Sequence, residues 1–185
     1  MVSLLDVRPV VLITGISAAG KSTVGDLLAR RFDRGVHVKG DVYRRMVVAG
    51  RDEMSAEPTE EAWHQLRLRY RLGASTADAY HEAGFAVVVQ DVVIGAVLSD
   101  YVAELRSRPR VVVVLAPSAE AVATREAARA KTAYRGGRMP PVAVWDAAFR
   151  RETPRIGMWL DTSDQSPAET VDAIVAGGLE QGSVP

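Results

Sequence analysis

Val10-Val11-Leu12-Ile13-Thr14 runs directly into Gly15-Ile16-Ser17-Ala18-Ala19-Gly20-Lys21-Ser22, and the junction of the two decides the fold. The first five residues are an apolar, β-branched run, as expected of a strand buried on both faces of a parallel sheet. The next eight fit G-x-x-x-x-G-K-[ST], a phosphate-binding loop. From Lys21 to Phe32 the residues Val24, Leu27, Leu28 and Phe32 recur at helical spacing. Strand, glycine loop and helix in this order form an anion site for physical reasons. Gly15 and Gly20 let the backbone turn tightly, so the amides of Ser17, Ala18, Ala19 and their neighbours form an inward-pointing nest. The helix opening at Lys21 adds the positive end of its dipole. Lys21 is then placed to reach the β- and γ-phosphates of a nucleotide and Ser22 to ligate Mg²⁺. Thr23, one residue further on, reaches the α-phosphate.

Composition sets the outer bounds. A length of 185 residues predicts one domain over 1–185, large enough for a real core. Lys plus Arg and Asp plus Glu are equal at 23 each, so no basic field argues for nucleic acid. The absence of cysteine excludes thiolate metal sites and cysteine nucleophiles. Met1 to Arg8 lacks the charged start and long apolar stretch of a signal peptide, and no run approaches the ~20 apolar residues of a membrane span. A cytoplasmic protein with no membrane partner is the expectation.

Strand and helix patterns alternate along the chain. Val36-His37-Val38 reads as a short second strand ending at Lys39-Gly40-Asp41. A mainly helical region from Val42 to Ala83, broken between Gly50 and Pro58, follows. Ala86 to Val89, Val111 to Leu115 and Ile156 to Leu160 read as the remaining strands. Between them lie helices over Leu98 to Arg106, from a Ser118 cap to about Lys131, and over Val142 to Arg151. Tyr134 to Pro141, rich in Gly, Arg and Pro, reads as a mobile loop. Ser166-Pro167 opens a last helix carrying Thr170, Ile174 and Val175 at helical spacing, and fraying is expected from Gly177 on. The alternation predicts an α/β fold with a parallel sheet and helices on both faces.

Ligands of such sheets bind beyond the carboxyl ends of the strands. Two strands here end in carboxylates, Asp41 and Asp91. The strand through Val89 to Asp91 has the shape of one that brings a carboxylate to Mg²⁺. Asp41 precedes the helical insertion of about 42–84, where a phosphoryl acceptor would be held, and is the candidate base for the acceptor hydroxyl. Arg44 and Arg45 begin the next helix and could orient a polar acceptor. Arg125 and Arg129 are i,i+4 neighbours beside the loop, so a lid of about 125–141 could bring their guanidiniums to the transferred phosphoryl group. Arg135 and Arg138 continue that basic run. Arg67, Arg69, Tyr70 and Arg71 form another basic cluster, which reads mostly as surface but could border the acceptor pocket. His64 beside Trp63 reads as a partly buried packing residue that could line the acceptor pocket, and Trp145 and Trp159 read as core or adenine-side packing. No Asn-Lys-x-Asp motif is present, which favours ATP over GTP.

The chain resembles the chloramphenicol phosphotransferase-like small P-loop kinases and, more distantly, shikimate, gluconate and adenylylsulfate kinases. The resemblance rests on Gly15 to Ser22, Gly40-Asp41, Gln90-Asp91-Val92, Arg125 to Arg129 and Leu160-Asp161-Thr162-Ser163. It implies a nucleoside-kinase-like three-layer fold with a five-stranded parallel sheet in the order 2-3-1-4-5. It also implies ATP with Mg²⁺ and transfer of the γ-phosphate to a small-molecule hydroxyl, with Asp41 as base and Arg125 and Arg129 as lid arginines. The acceptor could be an antibiotic, making a resistance kinase, or a sugar, nucleoside or nucleotide. The arginine-rich stretch from Tyr43 to Arg71 points towards a polar or anionic one. A binding or switch protein with slow ATPase activity is the reading from another class.

Overall fold

The computed structural model describes residues 3–128 and 141–185. The five strands are β1 (Val10–Thr14), β2 (Gly35–Lys39), β3 (Ala86–Gln90), β4 (Arg110–Leu115) and β5 (Met158–Leu160). The helices are α1 (Lys21–Ala29), α2 (Asp41–Met46), α3 (Glu60–Glu82), α4 (Val97–Glu104), α5 (Ala119–Ala127), α6 (Val142–Glu152) and α7 (Pro167–Gly182). The sheet order is β2-β3-β1-β4-β5, and every pairing is parallel. This is the expected order and class.

Physical reasons for the layers are plain in the sequence. β1, β3 and β4 are buried at every residue, which only a sheet covered on both faces permits. The crossover from β1 to β2 moves across the sheet in one direction, and those into β3, β4 and β5 move in the other. Right-handed connections therefore put α1 on one face and α3 and α4 on the opposite one. α7 returns to pack beside α1.

Two caps, Ser118 and Ser166, fall where the sequence places them, and the structure adds a third at Thr59. Ser118, Thr59 and Ser166 each accept a hydrogen bond from the third backbone N–H of their helix, and Ser166 completes a capping box with Glu169. The helical insertion divides into α2 and α3, and its break spans residues 47–59, slightly wider than the sequence pattern suggests.

One expectation is overturned. The chain does not fray from Gly177, because α7 continues to Gly182 and Gly177, Gly178 and Gly182 are buried. A β-carbon on Gly182 would sit 2.6 Å from Val111 Cγ1, and one on Gly178 would sit 3.3 Å from Leu4 Cδ2. These glycines mark close helix–sheet approach rather than disorder. β5 also starts later than expected, since Gly157 at φ +74° turns the chain before Met158. Arg129, Arg135, Arg138 and most of the expected lid of about 125–141 lie outside the described residues. Among the described residues no helix is long and apolar enough to cross a membrane.

Candidate functional site

The phosphate loop connects β1 to α1 and is held by steric constraints at its two glycines. Gly15 has φ +144°, and a β-carbon there would lie 2.4 Å from the Leu115 carbonyl oxygen of β4. Gly20 caps α1 at φ +100°. Between them Ala18 adopts φ +64°, a left-handed conformation that an alanine holds only when its surroundings enforce it. Lys21 is buried, and its ammonium donates to the carbonyls of Gly15 and Ile16, both at 2.8 Å. The hydroxyl residues Ser22 and Thr23 are exposed on the first turn of α1. Behind the loop, the Thr14 hydroxyl donates to the Val93 carbonyl at 2.8 Å and accepts from the Val93 amide at 2.9 Å. That exchange fixes the end of β1 to the loop after β3.

The first turn of α2 is governed by charge. Asp41 is its first residue, and its carboxylate accepts from Arg44 Nε and Arg45 Nε, each at 2.7 Å. Burial alone would raise the Asp41 pKa, but the hydrogen bonds and charges of Arg44 and Arg45 outweigh it and hold the pKa below the usual carboxylate value. Arg44 also reaches Glu53 at 2.5 Å, and Glu53 lies 3.1 Å from Arg51. Arg44 and Arg45 are thus engaged with carboxylates of the same segment.

Asp91, just beyond β3, is buried and fully engaged. Arg69 of α3 meets it as a fork, Nε on Oδ2 at 2.7 Å and Nη2 on Oδ1, and the Val92 amide donates to Oδ1 at 2.7 Å. The carboxylate lies so close to the end of β2 that a β-carbon on Gly40 would be 1.9 Å from Asp91 Oδ2. Glycine at 40 is therefore a requirement of the Asp91 position. The neighbouring Tyr70 donates to the Val92 carbonyl at 2.8 Å and stacks on Tyr101 with ring centroids 5.0 Å apart.

Within the basic cluster of α3 the structure separates the two readings: Arg67 and Arg71 are exposed, whereas Arg69 borders the cleft. The signal was present in the helical period. Arg69 lies three residues after Leu66 and four before Gly73, on the edge of the stripe of Ala62, Tyr70, Gly73, Ala74 and Ala77 that packs inward.

The phosphate loop, Asp41 and the Arg69–Asp91 pair meet in one cleft of about 660 Å³. Lys21 and Ser22 line its phosphate end. Asp41, Arg69 and Asp91 also line it, with Trp63 and Leu66 of α3 and Trp145 and Glu152 of α6. His64 instead faces an adjoining hollow of about 380 Å³ with Glu60 and Arg67, which shares Trp63 and Val97 with the cleft. Trp159 lies away from the cleft, stacked on Phe149 at 5.3 Å beneath the Arg155 guanidinium at 4.0 Å.

The arginine of α5 is directed to the loop between β5 and α7. Arg125 Nη2 donates to the carbonyls of Thr162 at 2.5 Å and Ser163 at 3.3 Å. From α6, Arg150 binds the carbonyls of Ala116 and Pro117 at 3.0 and 2.7 Å and pairs with Asp146. No sequence motif marks Arg150; its distance in the chain from the residues after β4 conceals the contact.

The arrangement can cradle polyphosphate at the loop and hold a second molecule against Asp41 and Arg69. Comparison with known proteins agrees with this geometry. Among solved structures, a sugar kinase from Janibacter sp. HTCC2649 superposes with a TM-score of 0.63 at 20% identity, over 94% of this chain and 95% of that one. A gluconokinase from Sinorhizobium meliloti 1021 gives 0.60 at 21% identity, over 92% and 91%. The Mycobacterium tuberculosis APS kinase in complex with AMPPNP and APS gives 0.64 at 18% identity, over 91% and 95%. No curated protein matches the sequence. A family model described as AAA domain, AAA_33, matches residues 10–154. The chain belongs to this AAA domain family and has the fold of the P-loop kinases.

Proposed function

We propose that the chain transfers the γ-phosphoryl group of ATP to a hydroxyl of a small molecule. The observation that carries the reading is the shared cleft. Lys21 and Ser22 of the phosphate loop line the same space as Asp41, with room beside α3 for an acceptor. The fold it shares with a sugar kinase, a gluconokinase and an APS kinase is consistent with this.

In the proposed reaction the acceptor oxygen forms a bond to the γ-phosphorus as the bond to the β,γ-bridging oxygen breaks. The bridging electron pair leaves with ADP, and the hydroxyl proton passes to a carboxylate oxygen of Asp41. Arg44 and Arg45 keep Asp41 ionised at neutral pH, ready to orient the hydroxyl. Their hydrogen bonds also lower its basicity, so the proton moves late, as a loose phosphoryl-transfer transition state allows. Lys21 exchanges its two carbonyl partners for phosphate oxygens.

The Ser22 hydroxyl, exposed on the first helical turn, suits a Mg²⁺ ion, which would neutralise phosphate charge. Asp91 does not suit direct ligation while Arg69 occupies both of its oxygens, and we assign it to positioning Arg69. Nothing observed singles out an antibiotic as the acceptor.

The test is ADP release from Mg²⁺·ATP by the purified protein across a panel of alcohols. Asp41→Asn is expected to lower acceptor-stimulated turnover by ~10²–10⁴ while ATP affinity is retained, and Lys21→Ala to weaken both. Turnover unchanged in Asp41→Asn refutes the base. ADP release that no acceptor accelerates returns the chain to a switch protein.

A further inference from the structure

Three neighbouring strands begin at a group of residues that takes no part in the proposed reaction. β3 lies between β2 and β1 and all three run parallel, so the residues before them meet at the amino edge of the sheet. Arg34 precedes β2, Gly84 and Phe85 precede β3, and Arg8 and Pro9 precede β1. Backbone pairing fixes the arrangement: the Ala86 amide donates to the Arg34 carbonyl and the Val87 amide to the Pro9 carbonyl, each at 2.9 Å. Gly84 therefore stands between two arginines, at the opposite end of β1 from the phosphate loop.

Both guanidiniums converge on the space a side chain at 84 would take. A β-carbon there would lie 3.2 Å from Arg8 Nη1 and 3.3 Å from Arg34 Nη1, and the glycine, at φ +87°, leaves that space open. Arg34 is held over the Phe85 ring, 4.1 Å from its centroid, and its Nη2 donates to the Ala83 carbonyl at 3.4 Å. Arg8 is tethered through its own carbonyl, which accepts from His81 Nε2 at 2.7 Å. Both side chains are exposed. Asp33 and Glu82 are close in sequence, yet among the described residues neither arginine is ion-paired. Capping of the carboxyl end of α3, with its partial negative charge, accounts for Arg34. It does not account for Arg8, whose guanidinium has no hydrogen-bond partner among the described residues. Two cations turned to one space repel each other until an anion lies between them.

We propose that Arg8 and Arg34, with the open face of Gly84 between them, form a second anion site that takes a phosphate dianion, free or as a phosphomonoester. A tetrahedral dianion matches two guanidiniums in charge and presents oxygens to each. A carboxylate brings half that charge and two oxygens in one plane. The amides of Gly84 and Phe85 already donate to the carbonyls of His81 and Tyr80, so the arginines alone hold the ligand. Exposed contacts of this kind give affinity of about millimolar order. The site lets a phosphate-bearing molecule dock without occupying the phosphate loop, and it does not depend on the kinase reading.

The experiment titrates the full chain with sodium phosphate, glycerol 3-phosphate or sodium acetate, at constant ionic strength and at a pH where phosphate is a dianion. Arginine side-chain Nε signals are followed by carbon-detected NMR and assigned with Arg8→Gln and Arg34→Gln. The Arg8 and Arg34 signals are expected to move together and to saturate, half-way at about 1–10 mM phosphate. Each single variant should weaken phosphate binding by about fivefold or more, read at the remaining arginine. The Gly20 amide reports separately on phosphate at the loop, so the two sites are told apart in one spectrum.

Saturation by both phosphate and glycerol 3-phosphate supports a site for phosphomonoesters, and saturation by phosphate alone supports one for the free anion. Acetate binding as tightly as phosphate overturns the proposal. So do shifts at Arg8 and Arg34 that never saturate, and so does an Arg8 signal that titrates unchanged in Arg34→Gln.

Discussion

Replacing Asp91 by Asn and Arg69 by Gln, singly and together, separates a structural pair from a metal ligand. Each member of the fork is buried, with side-chain exposures of 14% for Arg69 and 2% for Asp91. Hydrogen bonds to charged groups contribute about 1.5–3 kcal/mol each, and breaking a buried pair by removing one partner costs about 3–5 kcal/mol. Water entering the cleft can solvate part of the freed Arg69, so we expect single losses of about 2–3 kcal/mol, towards the lower end of those ranges. Asp91→Asn also retains an oxygen that can accept from the Val92 amide, which confines the loss largely to the fork. The double variant removes both charges, so its loss should fall short of the sum of the singles by about 1.5–2 kcal/mol. Urea unfolding followed by tryptophan fluorescence gives the three values. Additivity within ~0.5 kcal/mol would refute the pair as a unit. The Mg²⁺ concentration for half-maximal activity supplies a second readout. It should be little changed in Asp91→Asn, and a rise of about tenfold or more would return Asp91 to the metal.

Gly40→Ala drives a methyl group into the Asp91 carboxylate, so it should destabilise by about 1–3 kcal/mol and raise acceptor KM through Arg69; an unchanged urea midpoint would contradict the contact. Arg125→Ala frees the loop after β5 and is expected to raise the KM for ATP by about tenfold with kcat changed less than about threefold, whereas a kcat loss of ~10² would assign Arg125 to the transition state. His37 of β2 packs its ring against Gly25 of α1, near Asp26 and Lys39, and burial first, then Lys39, pull its pKa down to about 4 from 6.5. The unfolded chain therefore takes up a proton that the folded one refuses. Stability contributed by neutral His37 is complete above pH 6.5 and falls as pH drops towards 4, by up to roughly 3 kcal/mol. NMR titration of its ring, with urea midpoints at pH 5 and 7, checks this; a ring titrating near 6.5 would refute it.

Local signals made the architecture legible. The β-branched runs, the glycine loop and the Ser118 and Ser166 caps each act within a few residues, and right-handed crossovers leave little freedom once the strand order is known. Asp41 and Lys21 are legible as candidates because strand ends and loop motifs announce themselves in sequence, and both line the cleft. The Asp91 partner is not legible, because Arg69 lies 22 residues away, and the helical stripe that turns it inward also carries two exposed arginines. The cluster in which Asp41 and Glu53 pair with Arg44, Arg45 and Arg51 reads as more basic than it is, because composition counts charges and ignores pairing. Gly177, Gly178 and Gly182 were misread for a related reason. A glycine that loosens a chain and a glycine that admits a neighbouring strand look alike until the strand is in place.

The resting position of Lys21 carries a further consequence. Its ammonium lies on the carbonyls of Gly15 and Ile16, which ties the start of α1 back onto the loop that precedes it. In the proposed reaction a phosphate oxygen has to draw that cation off carbonyl dipoles, which a charged oxygen does better than a neutral one. On that reading a ligand that stops at the amide nest leaves the lysine where it is, so Lys21 grades ligands by length as well as charge.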